Sequence, residues 1–307
     1  MSYDCEKERQ PAACAGHLVI IGGGEDREHA REILGRFIEL AGGPSVRIVV
    51  ITAASRIADQ MWEIYQQAFG GLGVTDLGHL SIGSRTDANS DHAVAMLSCA
   101  DGIFITGGNQ KRLLGLIGGT RVDRALHIAF KERNACIGGT SAGASAMSGH
   151  MLANGAAVLQ PEKGAVNMAA GLGLVQHVLI DQHFSERQRL GRLLTAIAQN
   201  PYLQGIGIDE DTSLVIERGG GIEVVGEGAV TVVDGRHMRS NLELIADRES
   251  PEMIDVRLHL LPAGSRFVLP PDGAAGGAQA ASGRREEELP SSMQDFLRNV
   301  TKRHPLS

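Results

Sequence analysis

Aliphatic and β-branched runs alternate with longer amphipathic segments through the first half of the chain. Runs such as HLVII, VRIVVIT and DGIFIT are typical of buried strands. The longer segments, such as DREHAREILGRFIELAG and the stretch from Lys111 to Arg133, repeat apolar residues at helical spacing and predict helices. Strands and helices that alternate at these lengths form βαβ units, so the pattern from His17 to about Gly143 predicts a mostly parallel central sheet with helices on both faces. We therefore predict an α/β three-layer sandwich that binds its ligand beyond the carboxyl ends of the strands.

The pattern changes after Gly171. The run LVQHVLID predicts another strand, and SERQRLGRLLTAIAQ predicts a helix with Ser185 as its N-cap. Short strands separated by glycine-rich turns follow from Gly205 to Leu269, and we expect them to be antiparallel strands that complete the same domain. The predicted organisation is a polar N-terminal segment over 1–16, a single α/β domain over 17–270 and a tail over 271–307.

The tail combines two kinds of sequence. Its first part, PPDGAAGGAQAASGRREEELP, is rich in glycine, alanine and proline and carries a run of charges, which is typical of a low-complexity linker. Beyond it, Met293, Phe296, Leu297 and Val300 recur at helical spacing and allow a short amphipathic helix. We expect this last segment either to fray or to dock on its own domain.

Composition and charge exclude several classes of protein. The chain has 307 residues, of which 43% are hydrophobic and 21% charged, so it is not disordered along its whole length. A net charge of -7 and an aromatic content of 4% argue against nucleic acid or an anionic membrane surface as the partner. The N-terminal stretch lacks the apolar core of a secretory signal, and no later run approaches the roughly 18 to 20 apolar residues of a membrane helix. We therefore expect a cytoplasmic protein.

The sequence carries no strong cofactor signature. Its four cysteines lack CxxC spacing and no HExxH motif appears, so we expect no metal site. The run IGGGED resembles the start of a dinucleotide fingerprint, but its third glycine is misplaced, and Glu25 and Asp26 would face the pyrophosphate. We therefore expect neither a metal nor an organic cofactor.

A candidate nucleophile lies in the run GTSAG. It matches G-x-S-x-G, in which a strained turn from a strand into a helix holds a serine hydroxyl clear of the backbone. The match alone is weak, because glycine fills 40 of the 307 positions. The strand-like run ACIGG leads directly into Ser141, however, and small residues follow it, as such a turn requires. The alternative is a glycine turn with a structural role only.

A serine nucleophile needs a base, and usually a third group that orients the base. Among eleven histidines, His183 is the best candidate because it follows a predicted strand at the end where ligands bind. A structural histidine is equally compatible with the sequence. The run GIGIDEDT supplies Asp209, Glu210 and Asp211 as candidates for the third group, and spacing alone does not choose among them.

Glycines and arginines add further candidates. The strand-like run FIT leads into Gly107 and Gly108, and the N–H groups of Gly108 and Ala142 are candidate oxyanion donors, unless the two glycines only turn the chain. Three arginines crowd the positive end of the helix predicted after His183, where the helix dipole disfavours cations. That placement favours recognition of a carboxylate by Arg187, Arg189 and Arg192. The alternative is that the three arginines form a solvated helix face.

Five blocks, in the same order, resemble the cyanophycinases, which are serine exopeptidases of peptidase family S51. The blocks are IGGGED, FITGGNQ, GTSAGA, IDQHFSERQRLGRL and GIGIDEDT, and the resemblance spans about residues 17 to 270. It implies an α/β sandwich related to the class I glutamine amidotransferases, usually dimeric. It also implies Ser141 as nucleophile, His183 as general base, Glu210 as the residue that orients His183, and Gly108 and Ala142 as oxyanion donors.

The resemblance implies a substrate as well. That substrate is cyanophycin, a poly-aspartate backbone with arginine joined to each β-carboxylate, which is cut from a chain end to β-Asp-Arg dipeptides through an acyl-enzyme. The arginines Arg187, Arg189 and Arg192 would pair with α-carboxylates of the polymer, and its guanidinium and amide groups would be held by Gln110, Asp181 and Gln182. Two alternatives stay open: an S51 aspartyl dipeptidase acting on short peptides, and a non-catalytic binding module with the same fold.

Overall fold

The computed structural model describes residues 16–155, 159–217, 220–268, 279–280 and 289–302. The predicted polar segment at the N-terminus, apart from residue 16, and most of the predicted linker therefore lie outside the described residues. The division of the chain into 1–16, 17–270 and 271–307 stays a proposal.

A nine-stranded sheet forms the centre of the described chain. Its parallel half consists of β1 (His17–Ile21), β2 (Arg47–Ile51), β3 (Asp76–Leu80), β4 (Gly102–Ile105) and β5 (Cys136–Thr140), in the order β1-β5-β4-β2-β3. Antiparallel strands extend the sheet beyond β1, in the order β10-β11-β16-β17, and these are β10 (Thr212–Glu217), β11 (Gly221–Gly226), β16 (Arg266–Val268) and β17 (Gln279–Ala280).

A second, four-stranded sheet packs beside the first. It contains β8 (Val178–Gln182), β9 (Gln204–Ile208), β12 (Ala229–Asp234) and β15 (Arg257–Pro262), in the order β15-β12-β9-β8. Strands β8 and β9 run parallel, so their carboxyl ends meet at one edge. Two hairpins complete the strands of the described chain, one of β6 (His150–Gly155) with β7 (Val166–Ala170), the other of β13 (Arg239–Ser240) with β14 (Met253–Ile254).

Helices cover both faces of the parallel strands, because successive side chains of a buried strand point to opposite faces. Val19 and Ile21 of β1 pack with α1 (Glu32–Ala41) and α2 (Ala58–Gly70), whereas Leu18 and Ile20 face the opposite layer. That layer contains α3 (Asp91–Ser98), α4 (Gln110–Ile117), α5 (Arg121–Lys131) and α6 (Ala142–Ala146). The predicted α/β three-layer sandwich, with antiparallel strands added in the C-terminal part, is confirmed.

The last two helices pack around the second sheet. Helix α7 (Leu190–Gln199) buries Leu193 and Ile197 against β8, β9 and β12. Helix α8 (Ser291–Thr301) buries its apolar side chains Met293, Phe296, Leu297 and Val300 in the main core. The C-terminal segment therefore docks on its own chain.

Several predictions of local structure differ from the observed elements. Helix α7 begins at Leu190 and not at Ser185, because the Ser185 hydroxyl donates to Asp209 Oδ1 at 2.6 Å and caps no helix. The helical stretch expected over 111–133 is two helices, since it is broken at Gly118 and Gly119. Strand β9 is antiparallel to β12, as expected, but parallel to β8. Strand β3 was not predicted.

Candidate active site

Ser141 lies in the turn that joins β5 to α6, at the carboxyl edge of the central sheet. Its φ of 51° and ψ of -108° fall outside the regions that residues with a side chain ordinarily adopt, a conformation that costs about 1–3 kcal/mol. Its N–H donates to the Ile21 carbonyl at 3.0 Å, which joins the turn to the end of β1. This is the strained strand-to-helix turn that the run GTSAG predicts.

Small residues leave room for this turn. A Cβ on Gly139 would lie 2.7 Å from Met147 Cε, and a Cβ on Gly143 would lie 2.3 Å from the Ile105 carbonyl oxygen. Real Cβ atoms essentially never approach other atoms so closely. The flanking glycines are therefore a steric requirement of the turn that holds Ser141.

Three side chains form one hydrogen-bonded chain beside the turn. Ser141 Oγ lies 2.9 Å from His183 Nε2, and His183 Nδ1 lies 2.5 Å from Glu210 Oε1. A carboxylate only accepts, so Nδ1–H donates to Glu210, and Nε2 is left unprotonated to accept the Ser141 hydroxyl. His183 follows β8 and Glu210 follows β9, so the parallel pairing of these strands brings the two residues together.

The surroundings of His183 favour its neutral form. Burial lowers the pKa of His183 below its usual value, and the charge of Arg187 lowers this pKa further. The hydrogen bond to Glu210 acts in the opposite direction and raises the pKa. The net result is a lowered pKa, so the imidazole stays unprotonated, and able to act as a base, to a lower pH than an exposed histidine.

The structure distinguishes the three acidic candidates. Glu210 contacts His183, whereas Asp209 accepts from the N–H and hydroxyl of Ser185 and from the Ala229 N–H. Asp211 Oδ1 accepts from the Asp26 N–H at 2.8 Å. Of these carboxylates, only that of Glu210 therefore belongs to the chain that leads to Ser141.

The two predicted oxyanion donors lie on segments that adjoin Ser141. Ala142 is the first residue of α6 and directly follows Ser141, while Gly107, beside Gly108, would place a Cβ 3.4 Å from Ser141 Cβ. Gly108 has a φ of 144°, and a Cβ there would lie 2.3 Å from the Ala54 carbonyl oxygen, so glycine is required. Within the described chain neither the Gly108 nor the Ala142 amide donates to another protein group, which leaves both for a ligand oxygen.

Four of the predicted substrate contacts form a buried polar cluster instead of an open surface. Asp181 is 1% exposed and accepts from Arg192 Nε at 2.6 Å and from Arg189 at 3.3 Å. Arg189 also donates to Gln182 Oε1 at 2.5 Å. Burial lowers the pKa of Arg189 to about 10, against the opposing charge of Asp181. A substrate carboxylate would have to compete with Asp181 for these guanidinium groups.

Arg187 differs from the other two arginines. It is exposed, and within the described residues its side chain makes no hydrogen bond or ion pair. Its backbone N–H donates to the His183 carbonyl at 3.2 Å, and after burial its charge is a further cause of the lowered pKa of His183. Arg187 is therefore the arginine best placed to meet a ligand next to the Ser141–His183 pair.

A cleft of about 240 Å³ begins at Gly108 and runs between α4 and the β6–β7 hairpin. Gln110 and Arg192 line it, and Gln110 Nε2 donates to the Leu152 carbonyl at 3.0 Å. Lys111 and Asn154 also line the cleft, and the sequence did not single them out. For Lys111 the available signal was its position directly after Gln110; for Asn154 there was none, because the β6–β7 hairpin was not predicted.

The described chain contains neither a cluster of metal ligands nor a helix that could span a membrane. No group of three or more His, Cys, Asp or Glu side chains is arranged to hold a metal ion among those residues. None of the helices that the structure describes has both the length and the apolar content needed to cross a membrane.

Comparison with known proteins identifies relatives over most of the chain. A family model described as "Peptidase family S51" matches residues 18–224. A protein named cyanophycinase from Nostoc sp. is 39% identical over 262 residues, which cover 85% of this chain and 88% of the relative. A cyanophycinase from Geminocystis herdmanii is 39% identical over 251 residues, which cover 81% of this chain and 92% of the relative.

A solved structure shares the fold. The crystal structure of a peptidase from an acI-B1 actinobacterium superposes with a TM-score of 0.61 at 21% identity, covering 83% of this chain and 97% of that chain. The fold is thus the glutamine amidotransferase-like sandwich that the sequence blocks implied. The family match and the 39% identical relatives show that the chain belongs to peptidase family S51 and is a hydrolase of peptide bonds.

Proposed function

We propose that this protein hydrolyses cyanophycin as a serine exopeptidase and releases β-Asp-Arg dipeptides from a chain end. The observation that carries the mechanism is the hydrogen-bonded chain from Ser141 through His183 to Glu210 at the carboxyl ends of three strands. The substrate is supported by relatives named cyanophycinase that are 39% identical over most of both chains.

The proposed reaction has two halves. Ser141 Oγ attacks the carbonyl carbon of a backbone peptide bond while its proton moves to His183 Nε2, and the resulting oxyanion accepts from the Gly108 and Ala142 N–H groups. His183 then gives the proton to the leaving amine as the peptide bond breaks, which leaves an ester on Ser141. A water molecule, deprotonated by His183, attacks the ester carbonyl carbon. As the ester bond breaks, His183 returns the proton to Ser141 Oγ, which releases the acid and the free serine.

Glu210 has a supporting role in both halves. Its carboxylate holds Nδ1–H, so the tautomer with a free Nε2 lone pair faces Ser141. It also stabilises the imidazolium that forms when the serine proton arrives. Neither role requires Glu210 to touch the substrate.

Charge around the cleft suits the free α-carboxylates of the arginyl groups of the polymer. Lys111 and Arg192 line the cleft, none of its lining residues is acidic, and exposed Arg187 lies beside His183. We propose that Arg187 makes the first contact with an α-carboxylate and that Gln110 holds an amide. The contacts assigned to Asp181, Gln182, Arg189 and Arg192 stay predictions, since these residues already bind one another.

We also propose a cytoplasmic homodimer, on the strength of the family resemblance. Light scattering on the eluting gel-filtration peak would give about twice the mass of one chain, and a peak at the mass of a single chain would refute the dimer.

Incubation of the purified protein with insoluble cyanophycin tests the substrate. Clearing of the suspension, with β-Asp-Arg as the product identified by mass spectrometry, is the expected result. An excess of short Asp-containing dipeptides should compete weakly. An uncleared suspension with rapid cleavage of those dipeptides would instead identify an aspartyl dipeptidase.

A further inference from the structure

The loop that follows β1, residues 22–26 and here called the glycine loop, contacts all three catalytic segments. The Gly22 carbonyl accepts from the His183 N–H at 2.8 Å, and the Gly23 carbonyl accepts from the Asp211 N–H at 2.9 Å. The residue before the loop, Ile21, accepts from the Ser141 N–H at 3.0 Å. The loop therefore joins the segments that carry the serine, the histidine and the glutamate.

Two of its glycines lie directly against the catalytic side chains. A Cβ on Gly23 would lie 2.3 Å from His183 Cε1, and a Cβ on Gly24 would lie 3.0 Å from Glu210 Oε2. Both glycines also have positive φ angles, of 100° and 62°. Glycines are therefore required in the run IGGGED where it passes His183 and Glu210.

Glu25, in the same loop, has a buried carboxylate that contacts Thr140, the residue directly before the serine. It is 3% exposed, and it accepts from the Thr140 hydroxyl at 2.6 Å and from the Tyr65 hydroxyl. Burial and the charge of Glu25 hold the pKa of Tyr65 well above its usual value, so Tyr65 remains a donor. Among the described residues Glu25 has no ion pair with a cation. A carboxylate that is buried against neutral donors costs stability, and the fold keeps it next to the nucleophile.

We propose that Glu25 is a positioning residue, whose hydrogen bond to Thr140 fixes the end of β5 so that Ser141 keeps the strained conformation that faces His183. Thr140 directly precedes Ser141 and is itself 3% exposed, so a shift of its side chain moves the serine backbone. Glu25 touches neither the substrate nor the reacting atoms. The inference rests on Ser141 and His183 acting as proposed above.

A matched pair of substitutions separates positioning from general stability. Thr140→Val and Tyr65→Phe each remove one hydroxyl donor from the same carboxylate, but only Thr140 adjoins Ser141. We expect Thr140→Val to lower kcat about 10- to 100-fold with little change in KM, because a serine displaced by a fraction of an ångström attacks less often. Tyr65→Phe should mainly lower the melting temperature. Thr140→Ser, which keeps the hydroxyl, should recover most of the lost turnover.

A double-mutant cycle tests whether Glu25 acts through Thr140. Glu25→Gln keeps the side-chain volume and should lower kcat by an amount similar to Thr140→Val. The double variant should lose little more than either single variant, since both remove one interaction. Folded Thr140→Val and Glu25→Gln proteins with wild-type kcat would overturn the proposal, as would equal kcat losses in Thr140→Val and Tyr65→Phe.

Labelling with a fluorophosphonate distinguishes this inference from the proposed function. The probe reports the reactivity of Ser141 without any peptide substrate, and Ser141→Ala is the blank. If the wild-type protein does not label, the serine mechanism fails and the positioning role fails with it. If the wild type labels and Thr140→Val labels as fast, the serine mechanism stands and only the role of Glu25 is refuted.

Discussion

Replacing Glu210 with glutamine should remove most of the turnover while leaving the protein folded. The substitution keeps the size of the side chain but places an amide opposite His183 Nδ1, 2.5 Å away in the native protein. An amide NH₂ group in that position donates, which favours the tautomer that carries its proton on Nε2. His183 would then have no lone pair with which to accept the Ser141 hydroxyl proton.

The expected loss follows from the contacts of Glu210. In serine protease triads the same carboxylate-to-amide change costs about 10⁴ in kcat. The Glu210 side chain is 39% exposed, however, so water compensates for part of the lost charge. We therefore expect kcat to fall roughly 10³-fold, or about 4 kcal/mol at 1.36 kcal/mol for each factor of ten.

The assay is release of soluble dipeptide at saturating substrate, alongside a thermal melt of each protein. Asp209→Asn is the matched control, because it removes the same charge from the adjacent residue, which binds Ser185 and Ala229 instead of His183. The control should lose stability but keep kcat within about threefold, since Asp209 makes no hydrogen bond to Ser141 or His183. If Glu210→Gln stays within tenfold of the wild type, the assigned role of Glu210 is wrong.

Two further predictions concern the arginines. Arg187 lowers the pKa of His183, so Arg187→Gln should raise that pKa and move the acid limb of the kcat/KM profile to higher pH. The same substitution should raise KM, because it removes the proposed contact with a substrate carboxylate. An unchanged acid limb and an unchanged KM would contradict both roles of Arg187. Asp181→Asn leaves two buried guanidinium groups poorly compensated, which costs about 3–5 kcal/mol and, at the unfolding entropy of a chain of 307 residues, lowers Tm by roughly 5–8 °C. A Tm within about 2 °C of wild type in a calorimetric scan would show that the buried pair contributes little.

Periodicity predicted the strands of the central sheet because most of them are buried on both faces and read as unbroken apolar runs. Strand β3 was not predicted because it lies at the edge of the sheet, where only Gly78 and Leu80 of its sequence DLGHL are buried. The sequence pattern places the start of a helix too early where the side chain of a distant or preceding residue accepts hydrogen bonds from the backbone N–H groups. At α1, for example, the Asp26 carboxylate accepts from Glu28, His29 and Arg31, so the helix begins only at Glu32.

The candidate site was predictable where a motif ends a strand. Ser141 and His183 each follow a buried strand, and ligands bind beyond the carboxyl ends of such strands. The two strands, β5 and β8, belong to different sheets, and the sequence pattern does not show that these sheets meet at the site. The choice among Asp209, Glu210 and Asp211 depends on which way three consecutive side chains point, and that is decided by Ser185, His183 and the glycine loop. The local sequence pattern gives no information about these contacts, because they join residues that are distant in the chain.

The roles of the three arginines are likewise not determined by the sequence pattern. All three follow His183 at short intervals, and the sequence gives them the same role. The structure buries Arg189 and Arg192 around Asp181, which lies before His183 on β8, and leaves Arg187 exposed. Only the position of Asp181 in the folded chain separates them.

The most direct test of the account compares the wild-type protein with Ser141→Ala on the same preparation of cyanophycin, with released β-Asp-Arg measured over time. We predict release by the wild type and a rate lower by several orders of magnitude for the variant, because the members of such a triad act as a unit. Release of the dipeptide by Ser141→Ala at a rate near that of the wild type would contradict the central claim that Ser141 is the nucleophile.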